Sequence, residues 1–361
     1  MKSRYSLNLG KPFGIKVSVH WTFSLLIAWI VIISINQGLG LTQILIHILF
    51  VLTLFACVVL HEFGHSLMAL KLGGKVQSIT LLPIGGIANI TEMPEKAKDE
   101  FLVSLAGPMV NVVIALLLWL YTDIIQGIDL AGIEYDTITA VNFPVILMTA
   151  NLFIVAFNLI PAFPLDGGRL FRSLLSLRMS RLKATGIAKD IGQLFAIFFI
   201  FAGLFFNPFL IIIGFFVLLG AKAEYEMVKY KDILKDYKVE DIVKTDNEVL
   251  DENDSLGNAA EKITHTYDRG FVITSGGEYA GILTKSDLIK GLNTHGKDGL
   301  IKDVMSRDIE GVSIKMPLFD AYKNIHQKRY DIVPVEDDGE FRGIIDLESI
   351  NEFFIIQKAM S

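Results

Sequence analysis

Residues 44–60, ILIHILFVLTLFACVVL, are seventeen side chains without a formal charge, and they run directly into His61. Backbone in hydrocarbon must satisfy its own hydrogen bonds, so such a run reads as a membrane helix. Helical spacing then governs the residues at its end. In His61-Glu62-Phe63-Gly64-His65 the two histidines stand four apart on one face, so both imidazoles can address one ion. Glu62 stands one residue round the turn, placed to hold and deprotonate a water at that ion. A charged residue at the bilayer centre costs roughly 2.5–3.5 kcal/mol on insertion scales, which marks an intramembrane Glu62 as functional. The competing reading is that two histidines and a glutamate merely satisfy one another inside a bundle.

Composition agrees with membrane insertion. Of 361 residues 52% are hydrophobic, and the mean hydropathy is +0.49, too apolar for a soluble protein. A net charge of −6 gives no reason to expect nucleic acid as a partner. Cys57 is the only cysteine, so neither an intrachain disulfide nor a thiolate zinc site is expected. The basic first sixteen residues precede an apolar run with no small-residue cleavage site, which reads as a retained span.

Hydropathy marks six apolar segments, approximately 17–35, 43–70, 101–122, 138–160, 185–206 and 208–221. The N-terminus and the links after the second and fourth segments hold fourteen Lys and Arg; the alternate loops, near 36–42, 123–137 and 207, hold none. That asymmetry predicts a multi-pass protein of the cell membrane with its N-terminus and everything after 221 in the cytoplasm. His61 then falls about nineteen residues, or roughly 28 Å, into a span descending to the cytoplasmic side.

After the second span, Val76, Ile79, Thr80, Leu81 and Leu82 favour a strand, Pro83 to Gly86 a turn, and Ile87 to Thr91 a return strand. The free edge of such a hairpin could accept an extended peptide; an ordinary connector is the alternative. The fourth span ends in NLIPAFPLDGGR, residues 158–169, where Pro161 and Pro164 break the helix. Asp166 lies there at the level of the histidines, the only acidic residue between Asp136 and Asp190. It makes a good third ligand, and two histidines with one carboxylate leave a fourth zinc position for water.

These residues resemble the site-2 protease family of intramembrane zinc metalloproteases. The resemblance rests on HEFGH at 61–65, GGIA at 85–88, AGPMVN at 106–111 and NLIPAFPLDGG at 158–168. It implies zinc held by His61, His65 and Asp166, with Glu62 as the base. It also implies a membrane-spanning protein substrate contacted by the hairpin at Gly85 and Gly86, and by Asn158. The short 123–137 loop leaves no room for a PDZ-like insertion, which resembles the compact branch of the family with cytoplasmic CBS domains.

The tail supports that branch. Residues 240–295 and 302–357 repeat with an offset of 62: Asp241 matches Asp303, Leu256 matches Leu318, and Gly281-Ile282 matches Gly343-Ile344. The pair looks like tandem CBS domains, a module that binds adenine nucleotides (ATP, ADP or AMP) and associates into homodimers. In such repeats a Thr or Ser followed three residues later by Asp holds phosphate and ribose. Thr284 and Asp287 have that pattern, whereas the second copy has Asp346 where the hydroxyl should be. One usable nucleotide site is therefore expected, with both copies being purely structural as the alternative.

The expected architecture is a polytopic α-helical membrane domain (1–221, about six spans, a β-hairpin after the second). A helical linker (222–239) and a cytoplasmic α+β tandem CBS domain (240–361) complete the chain. Two other functions compete with intramembrane proteolysis: a nucleotide-gated membrane transporter or channel, and a non-catalytic homologue. The first needs no HExxH and shows no inverted-repeat spans. The second would not need every residue the chemistry requires. His20 and His47 read as bundle or interfacial histidines.

Overall fold

The computed structural model describes residues 6–83, 85–126, 137–265, 270–328 and 330–360. The chain divides into two compact units between Glu226 and Met227.

The first unit is mainly helical: α1 (Phe23–Asn36), α2 (Leu41–Lys71), α3 (Ala97–Leu120), α4 (Phe143–Asn158), α5 (Asp166–Ser176) and α6 (Arg181–Phe205). The helix α7 (Phe209–Leu234) begins in it, after a break at Asn207-Pro208. Among the described residues, three helices are long and apolar enough to cross a membrane: α2, α3 extended to Ile124, and α6. Two shorter apolar helices, α1 and α4, accompany them. At 31 residues α2 measures about 46 Å, enough to cross and project beyond the hydrocarbon. Phe198, Phe201, Phe205 and Phe209 are exposed on α6 and α7, as side chains facing lipid would be. Most of the loop expected at 123–137 lies outside the described residues.

The start of the first expected span is corrected. Residues Lys16–His20 form a strand, β2, and the helix begins only at Phe23. Hydropathy cannot separate a short buried strand from the end of a span, but Val17 and Val19 alternate, and both pair across to a neighbouring strand. The four strands β1 (Ser6–Gly10), β2, β3 (Lys75–Leu82) and β4 (Gly85–Glu92) form one sheet in that order. β2 and β3 are parallel; the other two pairs are antiparallel, and β4 is an edge. Ile15, Val17 and Ile79 bury against Phe63 of α2, with Val59 and Ala88 packed alongside. Phe63 therefore anchors the sheet on the helix that carries the two histidines.

The second unit holds two copies of strand–helix–strand–strand–helix. The first is β5 (Val249–Asp251), α8 (Leu256–His265), β6 (Gly270–Ser275), β7 (Glu278–Thr284) and α9 (Lys285–His295). The second is β8 (Val312–Ser313), α10 (Leu318–Lys328), β9 (Ile332–Asp337), β10 (Glu340–Asp346) and α11 (Leu347–Met360). Each copy makes a three-stranded sheet. The lead segments are exchanged: Lys244 pairs with Ile344 of the second copy, and Ser306 pairs with Ile282 of the first. Accordingly Leu234 and Val239 complete the second core, while Ile301 and Met305 complete the first.

Candidate metal centre

His61 and His65 lie one above the other on α2, both buried, and turn toward α3 and α5. Asp166 opens α5, 105 residues on from His61. Its local shape depends on two glycines. A β-carbon at Gly167 would lie 2.3 Å from the Ile160 carbonyl oxygen, and one at Gly168 would lie 2.6 Å from the Phe163 nitrogen. The loop from α4 can fold back over the first turn of α5 only because those side chains are absent.

The three side chains converge. His65 Nε2 and His61 Nε2 are 3.0 and 3.2 Å from Asp166 Oδ2, and 3.1 Å from each other. A tetrahedral ion with bonds of about 2.0–2.1 Å separates its ligands by about 3.3–3.4 Å, so a modest expansion seats it. The donor set suits a cation. His65 Nδ1 lies 2.7 Å from the Val103 carbonyl oxygen, which can only accept, so that nitrogen carries the proton. His61 Nδ1 lies 2.6 Å from Asn111 Oδ1 and donates likewise. Both rings thus turn Nε2 toward the same carboxylate oxygen, leaving three donor atoms around one point where a cation would sit. Zinc fits this cluster, the one His/Cys/Asp/Glu grouping of its kind among the described residues.

Close packing brings the ligands into range. A β-carbon at Gly64 would lie 2.6 Å from the Ala106 carbonyl oxygen, so α2 and α3 approach backbone to backbone at the motif. Glu62 faces a different neighbour. The Ala88 backbone N–H of β4 hydrogen-bonds its carboxylate, and a β-carbon at Gly86 would lie 2.7 Å from its Cγ. Glu62 is thus held between the two histidines and the edge strand.

Gly85 adopts φ of 138°, which favours glycine, at the start of that strand. Asn158 stands apart: its amide donates to the Ile154 carbonyl of its own helix, and no hydrogen bond among the described residues joins it to the ligands. His20 and His47 bond Thr22 and Ser34, away from the cluster. Gly107 and Asn111 entered the sequence reading only within the AGPMVN run, and Asn151 not at all. The available signal was an amide or a glycine inside an otherwise apolar helix, and it does not say what the residue meets.

In the second unit Thr284 caps α9, its Oγ1 accepting from the Asp287 N–H at 3.1 Å and donating to Asp287 Oδ2 at 2.7 Å. Ser306 Oγ donates to the same carboxylate oxygen at 3.2 Å. In the second copy Asp346 accepts from the Ser349 N–H and hydroxyl, and its other oxygen pairs with Lys244 Nζ at 3.2 Å.

Apolar helices around a two-histidine, one-carboxylate cluster with an adjacent glutamate define a membrane-embedded metallohydrolase. Known proteins agree. Peptidase family M50 matches residues 49–203, and the CBS domain matches residues 239–294 and 301–355. A zinc metalloprotease of Methanocaldococcus jannaschii is 32% identical over 350 residues, 96% of this chain and 95% of that one. Stage IV sporulation protein FB of Bacillus subtilis is 30% identical over 139 residues, 38% of this chain and 44% of that one. The solved site-2 protease from Methanocaldococcus jannaschii is 38% identical, covering 61% of this chain and 95% of that one, with a TM-score of 0.45. The chain belongs to peptidase family M50, the site-2 proteases, and carries two CBS domains. It is a zinc metalloprotease of the membrane.

Proposed function

We propose that His61, His65 and Asp166 hold one zinc ion, and that Glu62 is the base that cleaves peptide bonds in or near transmembrane segments. The observation that carries this is the convergence of all three donors within 4.8 Å, with Glu62 beside them. Zinc, when bound, supplies a Lewis acid that polarises the scissile carbonyl and acidifies water. Glu62 takes the proton of the attacking water and delivers it to the leaving amine nitrogen.

A helical substrate hides its carbonyls in its own hydrogen bonds, so it must unwind first. β4 is the last strand of the sheet among the described residues and lies beside Glu62, and a fifth strand added along Gly85 and Gly86 would bring its carbonyls to the site. We assign Asn158, at the end of α4, to the substrate or its reacting carbonyl. The six-segment reading, with N-terminus and tail in the cytoplasm, opens the ligands to water from that side. Thr284 and Asp287 form the adenine nucleotide site, next to Ser306, and the tail is the surface through which two chains associate.

The test is a pair of variants in the full chain. Glu62→Gln keeps zinc and lowers cleavage of a transmembrane reporter by about 10²–10⁴-fold, the usual worth of a positioned base. Asp166→Asn lowers zinc content as well. Substantial turnover by the first, or unchanged metal in the second, removes that residue from its role.

A further inference from the structure

The two zinc ligands on α2 are held differently. His65 Nδ1 meets a backbone carbonyl, Val103, which can only accept. His61 Nδ1 meets the side-chain amide of Asn111, and an amide can present either face. Rotated by half a turn, Asn111 would offer its NH₂ to His61. The proton would then move to Nε2 and cover the lone pair that the metal needs.

What prevents the rotation is a directed chain of hydrogen bonds across three helices. Asn111 Nδ2 donates to Asn151 Oδ1 at 2.7 Å, and Asn151 Nδ2 donates to the Leu147 carbonyl at 2.8 Å. Both amides are fully buried, so no water can substitute for a lost partner. Leu147 oxygen fixes the sense of the whole chain. It can only accept, so Asn151 must turn its oxygen to Asn111, and Asn111 must turn its oxygen to His61.

We propose that Asn151 is a positioning residue: without touching a ligand, it sets through Asn111 which nitrogen of His61 faces the metal. The proposal rests on the assignment of His61 as a zinc ligand. It predicts a specific non-additivity. Asn151→Leu frees Asn111 to rotate and weakens zinc binding by about 10–100-fold, the usual cost of losing an outer partner of a ligating histidine. Asn111→Asp removes the ambiguity, because a carboxylate only accepts, and it holds the proton on His61 Nδ1 without help. Asn151 must then turn its NH₂ to the carboxylate and give up the Leu147 carbonyl, so zinc affinity in that variant should stay close to that of the unsubstituted chain.

The decisive measurement is the double variant. Zinc affinity is read by chelator competition on the full chain in detergent, with the visible absorption of the cobalt-loaded chain as a signature of ligand geometry. In the Asn111→Asp background, Asn151→Leu should cost less than about threefold, well under the usual loss of an outer partner, with the cobalt spectrum restored. A loss as large as in the single variant overturns the proposal. So does a chain that Asn151→Leu unfolds in both backgrounds, which makes Asn151 a packing residue. If the unsubstituted chain takes up zinc and Asn151→Leu leaves its affinity unchanged, the relay fails alone. If the unsubstituted chain takes up no zinc, the ligand assignment fails and the relay with it.

Discussion

A β-carbon on Gly107 would stand 2.1 Å from His65 Nε2, inside the space that the imidazole occupies. The glycine of AGPMVN on α3 is therefore the wall against which the His65 ring of α2 is seated. Gly107→Ala should push the ring away, lowering zinc content and cleavage together, the latter by about 10²-fold for a displacement near 1 Å. Metal analysis and reporter cleavage on the purified variant would check this, and normal values for both would mean the ring has room.

Gly86 plays the corresponding part for Glu62. Its absent β-carbon leaves 2.7 Å to Glu62 Cγ, so Gly86→Ala must move the base or the strand. Cleavage should drop by about 10-fold or more while zinc content stays normal, because no ligand is touched. Joint loss of both would point to misfolding, and an unchanged rate would place Glu62 elsewhere.

A third prediction concerns a buried ion cluster on the helix that Asp166 opens. Arg172 of α5 donates through Nε to Glu100 Oε1 at 3.0 Å and through Nη1 to Glu224 Oε1 at 2.7 Å. Its Nη2 also bonds Glu100, and Arg181 Nη1 bonds Glu100 Oε2 at 2.8 Å. Glu100 is completely buried and Arg172 nearly so. Glu100→Leu leaves a buried guanidinium short of its principal partner, costing about 3–5 kcal/mol. Thermal unfolding in detergent should show a fall of several degrees, and an unchanged midpoint would mean that water replaces the carboxylate.

The nucleotide assignment is asymmetric and separately testable. Asp287→Ala should abolish the heat of binding of ATP, ADP or AMP to the full chain, whereas Asp346→Ala should leave it intact. Asp346 is already committed to capping α11 and to Lys244. Calorimetry that shows no binding at all, or binding indifferent to Asp287, sinks the site.

Much of this was legible in the chain because it depends on neighbours in sequence. The 3.6-residue helix period alone places His61 and His65 on one face and Glu62 beside them. The charge-free run before them announces the membrane. A constant offset of 62 reveals the paired tail modules. Hydropathy depth singled out Asp166 as the acidic residue at the level of the histidines, and its Oδ2 lies within 3.2 Å of both.

The rest belongs to tertiary structure. The strand at Lys16–His20 looks like the start of a span until β3 pairs with it. The repeat shows two copies, yet only folding assigns the Lys244 segment to the second copy and the Ser306 segment to the first. Asn111 and Asn151 are amides in two apolar helices, 40 residues apart, and nothing local records that they meet. A helix period determines which side chains share a face, because that comes from one backbone geometry. Which face meets which depends on close packing between helices far apart in the chain. Here glycines at 64, 107 and 167 permit approaches that any larger residue would block, and their sequence neighbours do not encode those approaches.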